Sequence, residues 1–140
     1  MPRYRFTPER LEDADLESNA IMVFGSNLEG RHGKGAAKTA MDDFGAIYGQ
    51  AEGLQGESYG IITKELRRHT HPPVTLAQVR DGVRRFVEFA RTNPDYVFYV
   101  TKIGCSLAGF NLADIARIFE RELGDDAPEN VVLPYEFAYN

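Results

Sequence analysis

The stretch that decides the fold is residues 20–37, AIMVFGSNLEGRHGKGAA, in which an apolar run passes through glycines into alanines. Residues 20–24 are all apolar, as expected of a strand that is covered on both faces of a sheet. Residues 25–37 contain four glycines, and a helical pattern begins at Ala36. A buried strand that leads through a tight loop into a helix is the building unit of an α/β protein.

Three further β-rich runs lie at residues 59–63, 96–101 and 130–133, and apolar residues recur at helical spacing between the runs. The helical stripes are Ala36, Ala37, Ala40, Met41 and Phe44; then Leu76, Val79, Val83, Phe86 and Ala90; then Leu112, Ile115, Ile118 and Phe119. Strands that alternate with helices predict a three-layer α/β/α fold with a mostly parallel central sheet.

The ends of these elements carry their own signals. Thr75 and Asn111 stand where the N-caps of the second and third helices are expected. Residues 4–6 suggest an additional edge strand. No linker or repeat divides the chain, so the 140 residues are expected to form one domain, 1–140.

Composition narrows the class of protein. Sixteen basic and 21 acidic residues give a net charge of −5, which disfavours nucleic acid as a partner. The single cysteine, Cys105, excludes an internal disulfide and suits a reducing compartment. The longest apolar run is far too short to span a membrane, so a cytoplasmic protein is expected.

Ligands of open α/β sheets bind where strands turn into helices, and the first strand exit is rich in glycine. Glycines let a ligand approach the backbone, and the N-terminus of the following helix offers free N–H groups to a phosphate. Residues 25–37 match neither common nucleotide fingerprint. The loop is therefore either a phosphate cradle or a flexible surface loop with glycines at its turns.

The exit of the third run, residues 103–110, is also built of small residues. It could fold around an anion, with Phe110 as a flat apolar wall; the alternative for Phe110 is packing in the core. Cys105 is expected to be an inert core residue and not a nucleophile, because no catalytic partner accompanies it in the sequence.

The exit of the second run carries Lys64, which could neutralise a phosphate or act as a nucleophile. The alternative is a solvated lysine paired with Glu65 or Glu57. His32 lies inside the glycine loop, whereas His69 and His71 lack the spacing of a zinc site. No metal or cofactor is expected.

Taken in order, these three exits resemble those of a macro domain, in particular the branch that removes terminal ADP-ribose from acidic side chains. The likeness lies in residues 33–37, in the strand and lysine at residues 59–64, in the helix from Thr75, and in residues 103–107. It covers roughly residues 20–134. Residues 6–8 and 24–28 also resemble small macro-like proteins of bacteria and phages.

The resemblance implies a pocket for ADP-ribose or a close derivative, with an ADP-ribosylated protein as a partner. Residues 33–37 would wrap the diphosphate and proximal ribose, and residues 104–110 would close over them. Lys64 would attack the anomeric carbon. The residues expected to contact the ligand are Gly25, Ser26, Asn27, His32, Gly33, Gly35, Ala36, Ala37, Thr63, Gly104, Cys105, Ser106, Leu107, Ala108, Gly109 and Phe110.

The chain departs from that branch at two positions. Ala108 stands where the branch has the acid that resolves the lysyl intermediate, and Ser106 replaces a glycine. The acids that could substitute are Glu29, Glu57, Glu65 and Asp114. The acid that reads adenine is expected within residues 9–15.

Three functions therefore remain open from the sequence. The first is a lysine-dependent ADP-ribosyl hydrolase, and the second is a binding module that reads or sequesters ADP-ribose without turnover. The third is an α/β domain whose glycine loops serve packing alone and which works through protein association.

Overall fold

The computed structural model describes residues 2–67, 69–105 and 108–139, which form an α/β/α fold. Its five-stranded sheet has the order β2-β3-β1-β4-β5. The strands are β1 (Ala20–Asn27), β2 (Gly53–Gln55), β3 (Ser58–Lys64), β4 (Val97–Val100) and β5 (Val131–Val132). β1 is parallel to both β3 and β4, β4 is parallel to β5, and β2 alone runs antiparallel.

Four α-helices and one 3₁₀ turn surround the described part of the sheet. They are the turn Leu11–Asp13, α1 (Gly35–Asp43), α2 (Leu76–Thr92), α3 (Leu112–Leu123) and α4 (Tyr135–Ala138). α2 begins with a capping box in which Thr75 and Gln78 each bond the other's backbone N–H. α3 begins at Asn111, whose side chain accepts a hydrogen bond from the Ala113 N–H at 2.8 Å. Both predicted N-caps are confirmed.

The central strand β1 divides the core between the two faces of the sheet. Ile21 and Val23 face α2 and α3 and join the larger cluster, which includes Phe86 and Phe119. Ala20, Met22 and Phe24 face α1 and the N-terminal segment in the smaller cluster. Alternate side chains of one strand are thus buried on opposite faces, which explains its continuous apolar sequence.

The sequence predicted the three long helices and the four parallel strands, and two predictions need correction. Residues 4–6 form no strand; the adjacent Thr7 N–H donates a single backbone hydrogen bond to the Leu133 carbonyl, at 2.9 Å. The edge strand β2, which lies at the opposite end of the sheet from β5, was not predicted. Three residues that begin with a positive-φ Gly53 carry too little alternation to be recognised.

Candidate functional site

A cleft opens at the carboxyl ends of β1, β3 and β4. Chain order reverses here, because β1 is followed by strands on one side and, after α2, by strands on the other. The cleft consists of a larger cavity of about 540 Å³ and a smaller one of about 360 Å³. Both volumes lie in the range of about 300–1,000 Å³ that is usual for small-molecule sites. The residues common to both cavities are Gly25, Lys34, Ala37, Thr63 and Ala108.

Gly25 lies at the seam between the two cavities. A Cβ on this residue would stand 3.2 Å from Thr63 Oγ1 and 3.4 Å from the Gly104 nitrogen. Contacts this tight explain why this position of β1 holds a residue without a side chain. The three strand exits that the sequence singled out therefore converge at one point.

The N-terminus of α1 also faces the cleft. Gly35, Ala36 and Ala37 form its first turn and line the larger cavity, and no side chain among the described residues caps them. The first backbone N–H groups of a helix have no partner within the helix, and the helix dipole makes this end attractive to anions. Lys34, the N-cap residue, adds a cation that lines both cavities.

The glycine loop before α1 is anchored at successive positions. Asn27 accepts from the Arg31 N–H at 2.9 Å and donates to the Arg31 carbonyl at 2.7 Å. The Leu28 N–H donates to the Lys64 carbonyl, and the Gly49 N–H donates to Gly30. These hydrogen bonds join residues 27, 28, 30 and 31 to one another and to neighbouring segments, an arrangement that a preformed phosphate cradle requires.

His32 lies beneath this loop and not in the cleft. Its side chain is fully buried, packs edge-on against Phe24 and lines neither cavity. Its Nε2 lies 3.0 Å from the Gln50 carbonyl and 3.2 Å from Gln55 Oε1. The predicted ligand contact of His32 is therefore corrected: this residue supports the loop from the core.

Lys64 lies at the end of β3, half-buried, and lines the smaller cavity. Thr63 beside it is buried, and its hydroxyl donates to the Ser26 carbonyl at 3.2 Å. Arg31 and Lys34 line the same cavity, as do the predicted residues Ser26, Asn27 and Gly33. The smaller cavity thus places two further cations with the lysine that the sequence singled out.

None of the four acids considered as substitutes for Ala108 lines either cavity. Glu29 is engaged elsewhere: burial favours a higher pKa, but hydrogen bonds from the Leu66 N–H and Arg67 outweigh it and hold the pKa below its ordinary value. Glu65 is buried, and one of its carboxylate oxygens accepts from the Arg67 N–H. Glu57 is exposed before the start of β3, and Asp114 is exposed on the first turn of α3.

The loop after β4 contributes Ile103, Gly104 and Ala108 to the larger cavity. Gly104 has a φ of 76°, and a Cβ there would meet Phe110 Cδ2 at 3.2 Å. Phe110 itself packs against the core and lines neither cavity, and the same holds for Cys105. These two predicted contacts are corrected to packing, and Gly109 also lines neither cavity. The predicted contacts of Ser106 and Leu107 lie outside the described residues.

Several charged residues line the larger cavity, and the sequence singled out none of them individually. Glu9, Arg10 and Glu12 come from the N-terminal segment, Lys102 follows β4, and Glu136 is on α4. The Lys102 ammonium lies 3.1 Å from Glu136 and 3.8 Å from Glu9, and the hydrogen bond to Glu136 raises the pKa of Lys102. The predicted acid within residues 9–15 has two candidates here, but no motif marks Lys102 or Glu136 in the sequence.

Two kinds of feature are absent from residues 2–67, 69–105 and 108–139. These residues contain no cluster of three metal-ligating side chains. No helix among them is both long and apolar enough to cross a membrane. Cys105 is half-buried, and burial raises the pKa of its thiol, which disfavours the reactive thiolate.

Comparison with known proteins identifies the fold and nothing finer. No protein-family model matches the chain, and no curated protein matches it. A Bacteroides thetaiotaomicron protein described as being of unknown function has a similar structure, with a TM-score of 0.60 at 16% identity over 84% of this chain and 88% of that one. A second protein of the same organism has a TM-score of 0.54 at 18% identity over 86% and 92%. These likenesses support the α/β/α class.

Proposed function

We propose that this protein binds ADP-ribose, or a closely related nucleotide derivative, as a non-catalytic reader. The observation that carries the proposal is the junction of the two cavities, where Lys34 and the free N-terminus of α1 lie beside Gly25. Backbone N–H groups, a helix dipole and one cation together are suited to a diphosphate. A ligand with its diphosphate here extends one group into each cavity.

The two cavities differ in what they can accept. The larger one has apolar walls from Met22, Ile103 and Pro134 beside carboxylates that can accept hydrogen bonds from a base. The smaller one has the size for a sugar, and its cations can contact the second phosphate, to which that sugar is attached. The nucleoside of ADP-ribose would occupy the larger cavity, the diphosphate the junction, and the second ribose the smaller cavity. The resemblance of the strand exits to those of macro domains supports the same ligand.

Binding without turnover is favoured by the charges around Lys64. Among the described residues that line the smaller cavity, three are cations and none is a carboxylate. A lysyl intermediate needs an acid or base to resolve it, and the four substitutes named from the sequence lie outside this cavity. The protein would then recognise an ADP-ribosylated protein or free ADP-ribose in the cytoplasm, where its single cysteine stays reduced.

A lysine-dependent hydrolase is the second candidate, because Lys64 lines the cavity that would hold the distal ribose. Such an enzyme would form a bond between the lysine nitrogen and the anomeric carbon as the bond to the carrier carboxylate breaks. Water would then release ADP-ribose from the lysine. The position of Lys64 permits the first step, whereas the charges around it provide no group for the second.

Isothermal titration calorimetry with ADP-ribose tests the proposal. AMP and ribose 5-phosphate, titrated separately, probe the larger and the smaller cavity. We expect ADP-ribose to bind more tightly than either fragment, and we expect no release of ADP-ribose from a modified protein substrate. Absence of ADP-ribose binding would reject the ligand. Binding together with turnover would instead select the hydrolase.

A further inference from the structure

The protonation of His32 can be read from its partners. Both groups near Nε2, the Gln50 carbonyl and Gln55 Oε1, accept hydrogen bonds. The orientation of the Gln55 amide is fixed, because its oxygen also accepts from the Ile47 N–H at 2.8 Å and its nitrogen donates to Gln50 and Gly53. Nε2 therefore carries the proton. Nδ1 is buried and has no hydrogen-bond partner among the described residues.

The position of His32 in the chain links it to the cleft. Gly33 and Lys34 alone separate it from Gly35, the first residue of α1, and both line a cavity. Two residues span at most about 7 Å, so a shift of the His32 backbone passes directly into the helix N-terminus. On its other side, Arg31 is already fixed by Asn27. His32 is thus an anchored residue close in sequence to the proposed diphosphate site.

We infer that His32 is a positioning residue: the hydrogen bonds from its Nε2–H to Gln50 and Gln55 hold residues 33–35 in the ligand-binding conformation. The inference rests on the proposed function for its ligand and adds a residue that does not touch that ligand. The donor at Nε2 is the required feature, since the ring offers nothing else to the loop except its contact with Phe24. In the opposite tautomer, the Nε2 lone pair would face two acceptors, and the buried Nδ1–H would have no partner among the described residues.

Two substitutions distinguish the role of the Nε2–H donor of His32 from the role of its aromatic ring. In His32→Gln the amide nitrogen can reach the position of Nε2, so the donor is kept while the aromatic ring is lost. In His32→Asn the amide ends near the position of Nδ1 and cannot reach Gln50. Both variants bury a neutral amide of similar polarity and both lose the edge-on contact with Phe24. The variants differ by one buried methylene, so a role in packing alone would separate them in thermal unfolding and not in their affinity for ADP-ribose.

The experiment has one arm without ligand and one with it. Without ligand, long-range ¹H–¹⁵N NMR of the wild type is expected to show that Nε2 of His32 carries the proton. The amide signals of Gly33 and Gly35 are expected to shift in His32→Asn and to shift little in His32→Gln. With ADP-ribose, His32→Gln should bind within about threefold of the wild type. His32→Asn should bind roughly tenfold more weakly, as expected for a lost buried hydrogen bond. Thermal unfolding confirms that each variant is folded at the assay temperature.

The outcomes distinguish this inference from the proposed function. An Nδ1-protonated His32, unshifted glycine amides in His32→Asn, or equal losses of affinity in the two folded variants would each overturn the positioning role. If the wild type does not bind ADP-ribose, the proposed function fails. The tautomer and the two amide signals then still decide whether His32 holds the loop.

Discussion

The two cavities of the cleft share a seam but differ in charge, one being mixed and the other cationic. The larger cavity is lined by the carboxylates of Glu9, Glu12 and Glu136 together with the three cations Arg10, Lys34 and Lys102. The described lining of the smaller cavity has the three cations Arg31, Lys34 and Lys64 and no carboxylate. Mixed donors and acceptors can distinguish one base edge from another, whereas cations alone hold an anion without selecting or processing it.

The difference in charge places the groups that can select a ligand in the larger cavity and the lysine that could react with it in the smaller one. A reactive lysine needs a partner that takes and returns protons, and the carboxylates of this cleft lie at the end away from Lys64. The proposed reader therefore has one end that selects its ligand and another that merely retains it. The following predictions test this division, beginning with the seam on which both ends depend.

Substitution of Gly35 by valine should have the largest effect. Gly35 has a φ of 58°, a conformation that a β-branched residue rarely adopts, and it begins the helix that faces the cleft. The change both strains the backbone and obstructs the N–H groups. Loss of two charge-assisted hydrogen bonds corresponds to roughly a hundredfold weaker binding of ADP-ribose by calorimetry.

Gly124→Val is the matched control for this variant. Gly124 has a φ of 66° and lies at the C-terminus of α3, away from the residues that line the cleft. Both variants should lose stability of about 1 kcal/mol or more, as expected for a non-glycine residue in this region. Only Gly35→Val should lose affinity. Equal affinities in the two variants would refute the placement of the diphosphate at the seam.

Replacement of Lys64 tests the cationic end and should have the next largest effect. Lys64→Ala should weaken ADP-ribose binding roughly tenfold, whereas Lys64→Arg should keep most of the affinity because the charge remains. Lys38→Ala is the control, since Lys38 pairs with Asp42 on α1 and lines neither cavity. Mass spectrometry of the wild type with an ADP-ribosylated substrate should show no lysyl adduct. An adduct that disappears in Lys64→Ala would establish the hydrolase instead.

The parts of this cleft that the sequence could predict are local. Residues 25–37 and Lys64 could be identified as candidate ligand contacts because each comes at the end of an apolar run. Such a run predicts a strand and therefore also predicts where the strand ends. The helix caps at Thr75 and Asn111 are recognisable for the same reason. Each signal lies within a few residues of the structure that it specifies.

The parts that could not be predicted depend on distant contacts. His32 is held by Gln50 and Gln55, which lie 18 and 23 residues further along the chain. Glu9 and Glu12 reach the larger cavity only because the N-terminal segment passes beside β5, through the Thr7–Leu133 bond. A histidine in a loop looks the same in sequence whether it faces a ligand or the core.

Introduction of an acid at position 108 tests the same comparison by adding a carboxylate to the cationic end. Ala108 lines both cavities, so Ala108→Asp would bring a carboxylate to the cavity that Lys64 lines. A negative charge near a diphosphate costs about 1 kcal/mol in water, and binding should weaken roughly fivefold. Slow release of ADP-ribose from a modified protein should appear at the same time.

The Ala108 variant has two controls. Ala108→Asn has nearly the same shape without the charge and should show no turnover, and the double change with Lys64→Ala should abolish any turnover gained. Turnover that persists without Lys64 would mean that the lysine takes no part. Unchanged inactivity in an Ala108→Asp protein that still binds would mean that more than a carboxylate is missing from the cationic end.

The smallest effect is expected at the mixed-charge end, from Glu136→Gln. The change removes a negative charge from the larger cavity, leaves Lys102 paired with Glu9 alone and keeps an amide oxygen that can accept from a base, so ADP-ribose should bind about twofold more tightly. Glu122→Gln, which breaks the comparable pair with Arg84, lies outside the cleft and should leave affinity unchanged. A fall in affinity in Glu136→Gln would show that this carboxylate contacts the ligand directly.

The pH dependence of stability provides a second measurement on the same pair. A hydrogen bond from its own backbone, followed by the Lys102 contact, lowers the pKa of Glu136 below its ordinary value of 4.5. A carboxyl whose pKa is lowered by folding stabilises the folded state above its unfolded pKa and loses this contribution as the pH falls through the folded one. At neutral pH the wild type should therefore exceed Glu136→Gln by roughly 0.5 kcal/mol, a small value because the pair is exposed. The difference should shrink progressively below pH 4.5 in denaturant melts. A constant difference across that range would mean that the pair contributes through packing and not through charge.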